Sequence, residues 1–143
     1  MHSLRVEKSY KLVGTELSIE YSPYESGLDR FVHPNKGDFI GRAALDKWRA
    51  KGFSNKLVTM EIHGVTNADV LGNNPIYDNG SVIGRATSGD FGFRLNKSIA
   101  LGMVKPEFAE VGQKLKIDIL GKMHEASIME ESPYDAENKL IRA

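Results

Sequence analysis

The sequence predicts an α+β chain that is mostly β: a short helical and extended appendage, then a small antiparallel β-barrel over about residues 55–131. Three observations carry this. Asp78-Asn79-Gly80 lies between the apolar runs Pro75-Ile76-Tyr77 and Val82-Ile83-Gly84, and Asn-Gly supplies the positive φ angles of a tight hairpin. Leu115, Ile117 and Ile119 alternate with Lys114, Lys116 and Asp118, the pattern of a strand with one face buried. Short apolar runs also recur at near-regular spacing, as a meander of strands requires.

The elements follow in order, with a break near Gly52 that divides residues 1–52 from 55–143. Residues 4–13 mix spacings, so helix and strand both remain open. Ser22 and Pro23 suit the cap and first position of a helical turn that Gly27 ends. Phe31 and Val32 read as extended. Asp38 is placed to cap a helix over 39–51, with Ile40, Ala44 and Trp48 on one face, Leu45 beside them, and Gly52 as the stop. Residues 57–62 are rich in strand formers, 98–104 form a bounded apolar run, and 124–129 return after Gly121. The stretch after Ser132 reads as an irregular strap. The expected core is Ile40, Ala44, Leu45 and Trp48 with Ile62, Ile83, Ile99, Leu101, Ile117 and Ile119.

Composition limits the function. The chain has 143 residues, 19 Lys and Arg balanced by 19 Asp and Glu, and no cysteine. Balanced charge argues against nucleic acid and anionic membrane partners. The lack of cysteine removes disulfides and thiolate chemistry. With no long apolar run and no apolar stretch after Met1, a cytoplasmic protein is expected.

Candidate residues are each weighed against a plain structural role. His2, His33, His63 and His124 show no metal-ligand spacing, so no metal site is expected. Ser88, in Thr87-Ser88-Gly89, lacks the elbow of a nucleophilic serine and reads as a structural hydroxyl. Gly84, Gly89 and Gly92 suggest tight turns and close backbone approach; they do not spell a phosphate loop. Glu7, between Arg5 and Lys8, is either a solvated surface acid or a carboxylate able to hold the amino-amide edge of a pterin. Arg42 near a helix start opposes the helix dipole, which hints at a partner such as an anionic ligand.

An ordered set of segments resembles a known family. Ser3-Leu4-Arg5-Val6-Glu7-Lys8, Pro23-Tyr24-Glu25-Ser26-Gly27-Leu28 and Asp38-Phe39-Ile40-Gly41-Arg42 look like the end of the folate-binding region of glycine-cleavage T-proteins, the tetrahydrofolate-dependent aminomethyltransferases. Ile83 to Gly89, Ile99-Ala100-Leu101, Gly112-Gln113 and Pro133-Tyr134 resemble the C-terminal barrel of that family. Lys8-Ser9-Tyr10, Glu25 to Asp29 and Pro133-Tyr134-Asp135 are most similar to the C-terminal region of dimethylglycine and sarcosine dehydrogenases.

The resemblance implies a C-terminal segment of an enzyme of one-carbon metabolism, with tetrahydrofolate as the bound species, held weakly or not at all by the isolated chain. It implies Glu7 at the pterin, Arg42 toward the glutamate tail and Arg142 as a basic residue nearby. The family's essential aspartate lies upstream of the segment matching Ser3 to Lys8, so no catalytic residue is expected here and the chain alone is expected to be inactive. FAD would belong to a missing upstream region, for no Gly-x-Gly-x-x-Gly occurs. The alternative expectation is a binding or assembly module that completes another chain's folate domain, for instance the upstream half of a split enzyme.

Overall fold

The computed structural model describes residues 1–65, 68–140 and 142. The appendage contains helix α1 (His2–Glu7), short 3-10 turns at Asp29–Phe31 and Pro34–Lys36, and helix α2 (Arg42–Lys51). Six strands follow: β1 (Lys56–Ile62), β2 (Pro75–Asp78), β3 (Ser81–Gly92), β4 (Lys97–Val104), β5 (Lys114–Ile119) and β6 (Lys122–Met129). They close into a barrel in the order β1-β4-β3-β2-β5-β6, and β6 pairs back onto β1. Every pair is antiparallel. Closure removes the open sheet edges that would otherwise template aggregation.

The local signals explain the strands. Asn79 and Gly80 have φ of 44° and 82°, both positive as the tight β2–β3 hairpin requires. Leu120 and Gly121 do the same between β5 and β6, with φ of 52° and 80°. The alternation in β5 points Leu115, Ile117 and Ile119 inward, where they join Val58, Met60, Ile62, Ile76, Ile83 and Ile128. Ile99 and Leu101 are also fully buried.

Helix α2 departs from expectation. It starts at Arg42 rather than residue 39, because Gly41 takes a left-handed φ of 92° and becomes the N-cap. Asp38 instead accepts a bond from the adjacent Phe39 N–H, which fixes a turn. The apolar face does not enter the core. Ile40 is wholly exposed, Ala44 and Trp48 are exposed, Leu45 is half-buried, and no residue of α2 is buried. The physical reason is that the barrel fills its interior with its own inward side chains and leaves the helix nothing to cover. Residues 22–27 form the expected single helical turn: Ser26 N–H donates to Ser22 O, Glu25 N–H donates to the Ser22 hydroxyl as a cap, and left-handed Gly27 ends it. Two smaller readings shift. Phe31 ends a 3-10 turn, and only Val32 is extended. Gly84, Gly89 and Gly92 lie within β3 rather than at turns, and close approach is their role.

Candidate functional site around Glu7

The last turn of α1 carries a buried run. Val6 and Glu7 have essentially no exposed surface, and Lys8 and Ser9 are buried beside them. Most of the polar groups in this buried run meet a partner. Lys8 Nζ donates to Asn138 Oδ1 at 2.7 Å and to the Asp135 carbonyl. Ser9 Oγ lies 2.7 Å from Thr59 Oγ1 of β1 and accepts from Ser132 N–H. Ser132 Oγ donates to Lys8 O, and Tyr134 N–H donates to Glu7 O. The strap after Ser132 thus clamps α1 to the barrel. Its irregularity follows from left-handed Ser132, Asp135 and Asn138.

Glu7 itself is divided. Its Oε1 accepts the backbone N–H groups of Arg94 at 2.7 Å and Leu95 at 3.2 Å, in the turn between β3 and β4. Among the described residues its buried Oε2 has no hydrogen-bond partner. A buried, unpaired carboxylate oxygen costs free energy unless something donates to it. The Arg94 guanidinium lies over the Tyr134 ring, 5.0 Å from its centroid, and ties the turn to the strap. One oxygen of the carboxylate is therefore held by backbone donors and the other is not.

A second buried acid, Glu16, joins the appendage to the barrel. Its Oε1 accepts Thr87 Oγ1 at 2.7 Å and Ser88 Oγ at 2.6 Å; its Oε2 accepts Leu12 N–H and lies 3.5 Å from Arg5. Neighbouring residues of a regular strand point to opposite faces. Here β3 shifts register against β4 between Ala86 and Ser88, and this bulge accompanies the convergence of both hydroxyls on one carboxylate. Ser88 is therefore a structural hydroxyl, as its sequence context indicates. Glu25 does the same work further along. Its Oε2 accepts Ser22 N–H and Oγ, and its Oε1 accepts Ser54 and Asn55 N–H. Arg85 pins the loop between them through Glu20 and Tyr21, at 2.6 Å and 2.7 Å. Those two contacts also raise its pKa, Tyr21 having the larger effect.

Burial works to raise the pKa of both glutamates. For Glu16 the Ser88 and Thr87 hydroxyls, the Leu12 N–H and the Arg5 charge together outweigh it. For Glu25 the bonds from Ser22, Asn55 and Ser54 do so. Both carboxyls sit below the ordinary value of 4.5. A depressed folded-state pKa contributes stability that is fully present above the unfolded value and is lost as pH falls through the folded one. The melting temperature is expected to hold from pH 7 to about 5 and to drop progressively below about 4.5. Glu16→Gln should flatten that acid limb in melts followed by circular dichroism; an equal drop in wild type and variant would contradict the assignment.

The other candidate residues stand apart from Glu7. Arg42 occupies the first position of α2, where its Nη1 donates to Gly37 O at 2.9 Å and its Nε lies 3.9 Å from Asp46. These local partners offset the unfavourable dipole position. Arg142 is exposed in the strap. Among the described residues no hydrogen bond or ion pair joins either arginine to Glu7. His63 Nε2 lies 2.9 Å from Ser127 Oγ, and His124 Nδ1 lies 3.3 Å from His63 O. Among the described residues no three His, Cys, Asp or Glu side chains gather as a metal site would require, and no helix is long and apolar enough to cross a membrane. Glu16, Glu25 and Arg85 were not singled out from sequence. Ser22-x-x-Glu25 was readable as a capping box, whereas Glu16 meets Thr87 and Ser88 only through the fold.

A closed barrel with a helical appendage clamped by a strap places the chain in a class that comparison identifies. The profile of the glycine cleavage T-protein C-terminal barrel domain matches residues 55–135, and the chain belongs to that family. It is 39% identical over 132 residues to human mitochondrial dimethylglycine dehydrogenase, covering 92% of this chain and 15% of that one. It is 38% identical over 138 residues to an aminomethyltransferase of Synechocystis, covering 96% of this chain and 37% of the relative. The crystal structure of glycine cleavage system aminomethyltransferase T from Bartonella henselae superposes with a TM-score of 0.85 at 25% identity, over 94% of this chain and 38% of the other. The chain thus spans well under half the length of these relatives.

Proposed function

We propose that this chain serves as the C-terminal segment of a tetrahydrofolate-dependent aminomethyltransferase-type protein, of the glycine-cleavage or dimethylglycine/sarcosine dehydrogenase kind, in which Glu7 holds the donor edge of the pterin. The observation that carries the reading is the buried, partnerless Oε2 of Glu7. A pterin's amino-amide edge presents N–H donors, and a charge-assisted bond to a carboxylate contributes on the order of 1.5–3 kcal/mol. Tetrahydrofolate would supply the N5 nucleophile that captures a one-carbon unit from an amine donor. This chain's part is to orient the ring and exclude water from one side of it. Residues 1–52 act in this reading as the end of the folate-binding region. Arg42 and Arg142 are assigned toward the ligand's anionic end on the resemblance alone. FAD, where a relative of the dehydrogenase kind uses it, belongs outside this chain.

A second reading has one observation in its favour. Phe31, Ile40 and Trp48 are exposed on the appendage, as a surface that covers another folate domain would be. Such a module would complete the site without chemistry of its own.

The chain alone is expected to form no methylenetetrahydrofolate from any amine donor, since the resemblance places the family's essential aspartate ahead of the segment matching Ser3 to Lys8. Turnover by the purified chain, free of host enzyme, would contradict this. The binding test recombines the chain with the preceding folate region of a relative and measures tetrahydrofolate affinity by calorimetry. Glu7→Gln should raise the dissociation constant at least about tenfold, the loss of one charge-assisted bond. Arg42→Ala should raise it less, because its carboxylate contact is exposed. Binding as tight as wild type in Glu7→Gln would remove the pterin role.

A further inference from the structure

Beyond the role given to Glu7, and resting on it, we infer that Gly92 is a positioning residue that sets where the free Glu7 oxygen points. Gly92 is the last residue of β3 and leads into the turn whose Arg94 and Leu95 N–H groups hold Glu7 Oε1. A β-carbon at this position would lie 3.0 Å from Glu7 Cγ, 3.1 Å from Glu7 Oε1 and 2.7 Å from Ile99 Cδ1. The first two are tighter than ordinary carbon contacts, and the third cannot persist without a shift. Only hydrogen fits between β3 and the carboxylate. The backbone here has no left-handed φ, so nothing conformational calls for glycine. The requirement is space, and the space is what the Glu7 side chain occupies.

The two crowded neighbours differ in kind. Ile99 Cδ1 is the end of a flexible apolar side chain and affects packing. The Glu7 atoms belong to the carboxylate that two backbone donors fix. Adding a methyl at Gly92 pushes the carboxylate off those donors and turns Oε2 away from its present direction. Shortening Ile99 to valine removes the packing conflict and leaves the carboxylate conflict in place. The two effects are therefore separable by mutation.

The test uses the full 143-residue chain, recombined with the preceding folate region of a relative for the binding arm, as wild type, Gly92→Ala, Gly92→Ala/Ile99→Val and Glu7→Gln. Three quantities are read: melting temperature, amide hydrogen exchange at Arg94 and Leu95, and tetrahydrofolate binding by amide shift titration. In Gly92→Ala/Ile99→Val the melting temperature should recover toward wild type. Exchange at Arg94 and Leu95 should nonetheless stay faster, and tetrahydrofolate should bind about tenfold more weakly. If exchange protection and affinity both return with stability, Gly92 is a packing residue only and the inference is overturned. Unchanged exchange at Arg94 and Leu95 in both Gly92 variants overturns it without reference to any ligand, and the double variant keeps that arm open should Gly92→Ala fail to fold. If wild type and Glu7→Gln respond identically to tetrahydrofolate, the pterin role of Glu7 fails instead and the binding part of this inference falls with it.

Discussion

Gly84→Ala is expected to destabilise the barrel by about 3 kcal/mol or more. Gly84 sits mid-ladder in β3, opposite Ile76 of β2 and Val104 of β4. A β-carbon there would lie 2.2 Å from the Met103 carbonyl oxygen and 2.8 Å from Val104 Cα. Both are backbone atoms, so no rotamer change relieves the overlap. The strands would have to part, and in a closed barrel one widened pair strains the rest of the ring. Gly102→Ala is the informative contrast. Its closest approach, 2.8 Å, is to the terminal Cδ1 of Ile76, and its nearest backbone atom, Arg85 O at 3.0 Å, is far less crowded than Met103 O is at Gly84. Urea unfolding of both variants checks the claim: a Gly84→Ala loss no larger than that of Gly102→Ala would contradict it.

Glu16→Ala is expected to cost about 3–5 kcal/mol, the range for removing one member of a buried charged cluster. Three donors lose their acceptor together, the Thr87 and Ser88 hydroxyls and the Leu12 N–H, and the Arg5 guanidinium loses the opposite charge 3.5 Å away. Among the described residues Arg5 already has Nε and Nη2 buried without partners, so the deletion adds to an existing deficit. The damage should be directional. Residues 10–28 lose the Glu16 clasp to β3 and keep only the exposed Arg85 contacts to Glu20 and Tyr21 as side-chain ties to that strand, whereas the barrel core does not include Glu16. Hydrogen exchange should rise at Leu12 and Ser26 well before it rises in β4. Uniform loss of protection, or a penalty under about 1 kcal/mol, would show that the clasp does not govern the docking.

The barrel was legible because each of its signals is local. Asn79-Gly80 specifies its own turn, and the alternation through Leu115, Ile117 and Ile119 states which face is buried. Helix α2 was legible as an element and misread as core. An apolar stripe at helical spacing shows that a face seeks cover, and says nothing of whether this chain supplies it. Ile40 and Trp48 carry that stripe into solvent. Within the candidate site, Glu7 was singled out, but its split state was not visible. The donors to its Oε1 are backbone groups some 87 positions away, and backbone donors leave no mark in residue identity. The Glu16 clasp was hidden for a related reason: it depends on a bulge that turns Thr87 and Ser88 to the same partner. Arg42 shows the converse case. Its position near a helix start suggested an unmet charge, and Gly37 and Asp46 meet it locally.

The central claim is that the free oxygen of Glu7 receives a donor from tetrahydrofolate. Glu7→Gln tests it with little structural disturbance, because the amide oxygen can keep the Arg94 and Leu95 N–H bonds while the amide nitrogen takes the place of Oε2 and confronts the pterin with a donor. The measurement is the amide shift of Arg94 and Leu95 as tetrahydrofolate is titrated into the chain recombined with the preceding folate region of a relative. Wild type should show a saturable shift at both residues, and Glu7→Gln, with an unchanged melting temperature, should show none. No shift in wild type, or the same shift in both proteins, would contradict the account and leave Glu7 a buried structural acid.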